Sequence, residues 1–234
     1  MSSIDTFPTL PPGEQDFLMD MFTQDAKNYH VWTYRHWLVR HFSLWDDPRE
    51  FHDVELLLSA DLRNNSAWNH RFVLRFGPRD GDDDDGMPRP PAVVDEEVVD
   101  SELQYVQRKI LLAPDNRSPW AYARGVFRAA ARPLAEWKGF ASRFITEQVG
   151  DRAEDSSGAA VVGVKSSHAV EWLADVYVEE LHQERGGSGG GGGVDAAGND
   201  AVRMFSLLKD KYDPIRKNYW DYRIRMLAPP ELSA

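Results

Sequence analysis

The sequence predicts an all-α protein, and three observations carry that prediction. Apolar residues recur at helical spacings of three and four in most segments. A Trp-centred octad returns at an offset of 36 residues. Helix-start signals, an Asx residue or a proline in the first turn, stand ahead of the apolar stripes.

Taken in order, Phe17, Leu18, Met21 and Phe22 share one helical face, and Val31, Tyr34, Leu38 and Phe42 share the next. Asp47-Pro48 is a cap followed by a first-turn proline, ahead of Phe51, Val54, Leu57, Leu58 and Leu62. Trp68, Phe72, Val73 and Phe76 run into the stop at Gly77-Pro78. Val99, Leu103, Val106 and Ile110 form a stripe that Pro114 ends. Ser118-Pro119 and Asp213-Pro214 repeat the cap-plus-proline start, and Pro133 opens another helix. No period-2 segment runs longer than a few residues, so about ten helices joined by short turns are expected.

The repeat organises these helices. Asn28-Tyr-His-Val-Trp32-Thr-Tyr-Arg35 aligns with Asn64-Asn-Ser-Ala-Trp68-Asn-His-Arg71. A degenerate third copy is Asn116-Arg-Ser-Pro-Trp120, with Arg124 one place late, and a fourth is Asn218-Tyr-Trp220-Asp-Tyr-Arg223. A period in the thirties with two helices per unit is the signature of a solenoid of antiparallel hairpins, similar to a tetratricopeptide array. Within the octad, Asn and Trp lie four apart and Trp and Arg three apart, so all three share one face. Asn is a good helix cap, Trp fills the junction between hairpins, and Arg reaches a turn carbonyl or a neighbouring carboxylate. Trp32, Arg35, Trp68, Arg71, Trp120, Trp220 and Arg223 are therefore read as structural.

The array occupies residues 14–227, after a polar leader (1–13) and before a tail (228–234). Two loops interrupt it: an acidic one at 77–91 and a glycine-rich one at 186–198. Of the 234 residues 42% are hydrophobic and 12% aromatic, enough for a core. Most of the net charge of −11 is local: residues 79–102 carry ten acids against two cations. No basic face for nucleic acid emerges. The absence of cysteine excludes disulfides, thiolate zinc sites and a Cys nucleophile. No long apolar run and no basic leader ahead of an apolar stretch are found, which predicts a cytoplasmic protein without membrane insertion. The Asp82–Asp85 run lacks the alternation and distal Glu of a calcium loop and reads as solvated. Gly186-Gly-Ser188-Gly-Gly190 matches a nucleophile elbow only formally, because no strand precedes it. Asn64-Asn-Ser66 and Asn116-Arg-Ser118 match the glycosylation sequon but are better explained as helix caps. The histidines show no metal-ligand spacing, so no metal is assigned to this chain.

One cluster suggests chemistry. Lys27, Asn28, Tyr29 and His30 open a helix, where backbone N–H groups and the dipole favour an anion. A cation, an amide, a phenol and an imidazole within one turn suit a diphosphate or a carboxylate.

Longer runs carry a resemblance. Lys27-Asn-Tyr-His-Val-Trp-Thr-Tyr-Arg-His-Trp37, Leu44-Trp-Asp46 and Asp61-Leu-Arg-Asn-Asn-Ser-Ala-Trp-Asn-His-Arg71 resemble the prenyltransferase α-subunit repeat. Pro114–Trp120, Ser167–Tyr177 and Asp213–Trp220 extend it nearly to the C-terminus. The match is to the α subunit shared by protein farnesyltransferase and protein geranylgeranyltransferase type I. It implies a right-handed superhelical crescent of hairpins around a separate β subunit. In that family the β subunit carries zinc and most of the isoprenoid pocket. The heterodimer moves farnesyl or geranylgeranyl from its diphosphate to the cysteine of a CaaX protein, with magnesium aiding the farnesyl enzyme. The α subunit, inactive alone, contributes side chains at the diphosphate. Carried over by motif, Lys27, Asn28, Tyr29 and His30 occupy that place. The family carries further hairpins upstream, one supplying a lysine to the diphosphate, so this chain reads as the C-terminal part of such a subunit. Two alternatives share the repeat pattern: a non-catalytic tetratricopeptide-like scaffold, and the Rab geranylgeranyltransferase α subunit.

Overall fold

The computed structural model describes residues 8–77, 95–148, 161–186 and 196–227. Ten α-helices lie among them: α1 (Glu14–Gln24), α2 (Tyr29–His41), α3 (Pro48–Ala60), α4 (Asn65–Phe76), α5 (Glu96–Leu112), α6 (Arg117–Ala129), α7 (Lys138–Ser142), α8 (Ser167–Gly186), α9 (Ala196–Leu207) and α10 (Lys217–Arg225). The all-α class is as expected, and among the described residues no helix is long and apolar enough to cross a membrane. The acidic run with its calcium-loop reading, the glycine tract around Ser188 and the tail lie outside the described residues.

The chain divides into two compact units: Met1–Ile110 with Asn116–Ala130, and Leu111–Asp115 with Ala131–Ala234. In the first, α1 pairs with α2 and α3 with α4, and α4 packs against both α2 and α6. The same turn joins each of the first two helix pairs. Asp25 Oδ1 accepts the Lys27 amide at 3.0 Å, and Asp61 Oδ1 accepts the Arg63 amide at 2.8 Å. These Asx turns reverse the chain and deliver Asn28 and Asn64 to the cap positions. Each Asn accepts two first-turn amides, His30 and Val31 in α2, Ser66 and Ala67 in α4.

Successive hairpins are stitched at one carbonyl. Trp32 Nε1 donates to Ala26 O at 3.0 Å, and Asn64 Nδ2 of the next hairpin donates to the same oxygen at 3.1 Å. Trp68 Nε1 donates to Leu62 O at 3.0 Å, and Asn116 Nδ2 joins it there at 2.8 Å. A carbonyl has two lone pairs, and the octad uses both. The arginines make the second stitch. Arg35 is fully buried and bonds Glu50 and Asp53 of α3, each at 2.8 Å. Arg71 forks onto Glu102 of α5 at 2.7 and 2.8 Å. A bidentate pair of this kind fixes direction as well as distance.

In the second unit α8 packs on α9, and Trp172 donates to Leu134 O at 3.1 Å. Trp220 stacks on Phe205 with centroids 5.9 Å apart, and Arg223 bonds Asp175 at 2.7 Å.

Several expectations need correction. Residues Ile145–Gln148 (β1) and Val161–Val164 (β2) pair antiparallel, Ile145 opposite Val164. Four-residue strands are too short for a period-2 pattern to register. Helix α6 is capped by Asn116, not Ser118, which lies inside the first turn and is buried. Asp213-Pro214 opens a 3-10 turn over Pro214–Arg216 rather than a helix, and Asn218 lies inside α10 without capping it. Pro133 likewise precedes a 3-10 turn, Leu134–Trp137. Phe17 and Tyr34, counted among the core stripes, are 54% and 39% exposed.

Candidate functional site

The four residues of the Lys27–His30 cluster part company in the structure. Asn28 is spent on capping: its Oδ1 takes the amides of His30 and Val31, so two of the N–H groups expected to face an anion are satisfied internally. Tyr29 is 75% exposed, and Lys27 and His30 are also exposed. The Tyr29 and His30 rings meet edge to face at 5.7 Å. Lys27 Nζ lies 3.3 Å from Asp61 Oδ2, a solvated pair that holds the ammonium weakly.

Lys27 and Tyr29 line a cleft of about 620 Å³ together with Thr33, His36, Trp37 and Arg40 of α2 and Asn65, Ser66 and Asn69 around α4. His30 lies outside it. The motif reading missed most of these residues, although the signal was present. Tyr29, Thr33, Trp37 and Arg40 step along one helical face at intervals of three and four. A second hollow of about 440 Å³ continues over α4 and α6, and shares Asn65 and Asn69 with the first.

The cleft is cationic at neutral pH. Lys27 and Arg40 supply the charge, and Arg40 has no ion-pair partner among the described residues. His36 adds none. Burial, with His70 and Arg40 beside it, lowers its pKa to about 4. Its ring stacks on His70 at 4.9 Å and 10°, and its buried Nε2 has no hydrogen-bond partner. His70 is likewise held neutral by burial, and in the tautomer protonated at Nε2 it donates to Glu50 at 2.8 Å. Burial alone would raise the Glu50 carboxyl, but the bond from His70 and the Arg35 guanidinium bring it down to about 2. His36 on the cleft wall is therefore backed by the buried His70, a neutral imidazole pair above the Arg35–Glu50 ion pair. The cleft also carries donors: an ammonium, a guanidinium, a phenol and amides. Such a set can bind and neutralise a polyanion without holding a metal.

Fold and site together define a class: a helical-hairpin repeat protein whose units are stitched by Trp, Asn and Arg and whose second helices present a cationic, aromatic cleft. Comparison with known proteins names the class. The protein prenyltransferase alpha subunit repeat matches residues 12–42, 47–75 and 99–130. The chain is 34% identical over 218 residues to the Candida albicans protein farnesyltransferase/geranylgeranyltransferase type-1 subunit alpha, covering 93% of this chain and 58% of that one. A solved structure of Candida albicans protein geranylgeranyltransferase-I complexed with GGPP superposes with a TM-score of 0.71 at 33% identity. It covers 96% of this chain and 62% of the other. A Dictyostelium discoideum geranylgeranyl transferase type-2 subunit alpha is 34% identical, but only over 64 residues, or 27% of this chain. The chain belongs to the protein prenyltransferase α-subunit family and spans a little over half the length of the Candida relative.

Proposed function

We propose that this chain is the α subunit, or the part of it spanned here, of a heterodimeric CaaX protein prenyltransferase of the farnesyl/geranylgeranyl type I class. One observation carries the proposal: the likeness to a geranylgeranyltransferase-I extends over 96% of the chain at 33% identity. The type-2 likeness, by contrast, stops at 27% of the chain. The partner is a β subunit, and the substrates are an isoprenoid diphosphate and a CaaX protein, met in the cytoplasm. Zinc on the β subunit supplies the thiolate nucleophile, and magnesium assists the diphosphate in the farnesyl case; neither is assigned to this chain, which is inactive alone.

This chain's part concerns the leaving group. As the bond to the isoprenoid carbon breaks, negative charge grows on the diphosphate, and donors already in place stabilise that charge most. Lys27, Tyr29 and His30 are exposed at the start of α2 and free of the packing that immobilises Trp32 and Arg35. They form the donor set, with Asn28 fixing the helix start beneath them.

The test is co-expression with a type I β subunit, followed by isoprenoid diphosphate binding and single-turnover transfer to a CaaX peptide. Co-purification as a heterodimer is expected. Tyr29→Phe and His30→Ala should slow transfer by about a hundredfold to a thousandfold, the cost of one lost charge-stabilising donor, while peptide binding holds. A chain that stays monomeric beside the β subunit would favour the scaffold alternative. Unchanged transfer in both variants would remove these residues from the diphosphate site.

A further inference from the structure

The stitches between hairpins recur at both junctions of the first unit, the shared carbonyl as well as the buried arginine. One further contact occurs at the first junction and has no counterpart at the second. Seven and five residues before each Trp stand Asp25 and Lys27, Asp61 and Arg63, and Ala113 and Asp115. Across the first junction Lys27 Nζ reaches Asp61 Oδ2 at 3.3 Å. At the second junction the corresponding pair would be Arg63 and Ala113, and alanine offers no carboxylate. Among the described residues Arg63 makes no ion pair with a neighbouring hairpin. The Lys27–Asp61 contact therefore stands outside the scheme that holds the array together, and it lies beside the exposed Tyr29 and His30.

Asp61 divides its two oxygens between two tasks. Its Oδ1 accepts the Arg63 amide at 2.8 Å and so builds the turn, as Asp25 does for Lys27. Its Oδ2 is not needed for that turn and faces the ammonium of the preceding hairpin. The Arg63 amide, and after it Lys27, hold the carboxyl below its ordinary value, so it stays charged at neutral pH. Both side chains face water, 61% and 42% exposed, and such a pair adds little to stability. Lys27 lines the cationic cleft, whereas Asp61 does not. The ammonium thus rides on a flexible stem with two anion positions in reach, one carboxylate outside the cleft lining and the cleft itself. A diphosphate carries more negative charge than one carboxylate, so it draws the lysine inward when it binds.

We propose that Asp61 is a positioning residue of the diphosphate site that acts through Lys27. It holds the ammonium at the edge of the cleft when no diphosphate is bound, and it competes for that ammonium when one is. The assignment rests on the transferase reading above. Its consequence is looser binding of diphosphate, which favours departure of inorganic diphosphate once the isoprenoid has been transferred.

The test uses the heterodimer with a type I β subunit and measures equilibrium binding of inorganic diphosphate and of the isoprenoid diphosphate. Asp61→Asn keeps the oxygen that accepts the Arg63 amide, and with it the turn, but removes the charge that faces Lys27. Both ligands should bind about twofold to fivefold more tightly to this variant, the range of an exposed ion pair. The gap should close as salt is added. Lys27→Met should weaken both ligands, and Asp61→Asn should change nothing further in that background. A merely structural Asp61 predicts the opposite sign, weaker binding that salt does not restore. Unchanged or weaker binding in Asp61→Asn, while Lys27→Met weakens it, would overturn this assignment and leave the donor set standing. Tightening that persists in the Lys27→Met background would also overturn it, since Asp61 would then act on the ligand directly. Affinities that Lys27→Met leaves unchanged would remove the lysine from the diphosphate site, and a chain that forms no heterodimer would remove the site itself; either result refutes both readings.

Discussion

Arg35 shows how much one residue can anchor. It is fully buried between Glu50 and Asp53, themselves 1% exposed, and Gln15 and His70 also hydrogen-bond Glu50. Removing one partner of such a group leaves charge buried without compensation, which costs far more than the intact pair contributes. Arg35→Ala should destabilise the chain by about 3–5 kcal/mol in urea unfolding. Tyr29→Phe, at the exposed start of the same helix, should stay within about 0.5 kcal/mol of the parent. The Trp-x-x-Arg spacing was enough to assign Arg35 a structural role. It gave no information on which carboxylates it meets, because these lie 15 and 18 residues away on another helix.

At the scale of the element, Asn64 does two tasks with one amide group. Its oxygen caps α4, and its nitrogen ties α4 to the Ala26 carbonyl of the preceding hairpin. The two tasks are separable, since serine caps nearly as well as asparagine but carries no amide donor. Asn64→Ser should cost about 1 kcal/mol, the net worth of one hydrogen bond. Asn64→Ala should cost about 2 kcal/mol, because the cap is lost as well. Hydrogen exchange would tell the variants apart. The Ser66 and Ala67 amides should lose protection in the alanine variant and keep it in the serine variant. Equal exchange in both would mean that the cap does not hold this turn. The capping role was legible from Asn preceding an apolar stripe. The cross-hairpin bond was not, because both Ala26 and Leu62 carbonyls belong to turns whose side chains carry no sign of it.

For the molecule as a whole, the buried imidazoles predict an acid limit to stability. His36 has a folded pKa of about 4, below the ordinary value of 6.5, because it is buried and faces His70, Arg40 and Arg35, with Glu50 opposing them. His70 shifts in the same direction. Both are neutral in the fold and take up protons first in the unfolded chain, so the unfolded state binds more protons over this range. Stability is therefore fully present above pH 6.5 and falls as the pH drops toward 4, where Glu50, held at about 2, still retains its charge. After allowance for the partial exposure of His36, its share of the loss is about 1–2 kcal/mol. His36→Phe keeps a ring against His70 and should flatten unfolding free energy between pH 6.5 and 4. An unchanged slope in that variant would place the acid sensitivity elsewhere.

The sequence by itself determined the all-α class, the hairpin repeat, the capping asparagines, the buried tryptophans and the family. Each depends on residues within a turn or two of one another, or on a repeat that matches itself, and local chemistry leaves such marks in order along the chain. Only the tertiary structure decided which carbonyl takes two donors, which carboxylate takes each arginine, and that His36 stacks on His70. It alone separated the exposed Lys27, Tyr29 and His30 from the capping Asn28, and left Phe17 and Tyr34 facing outward when the apolar pattern had counted them inside. The contacts among them are set when one hairpin docks on the next, over separations of 15 residues and more, and the spacing of residues within a single helix does not encode its neighbour.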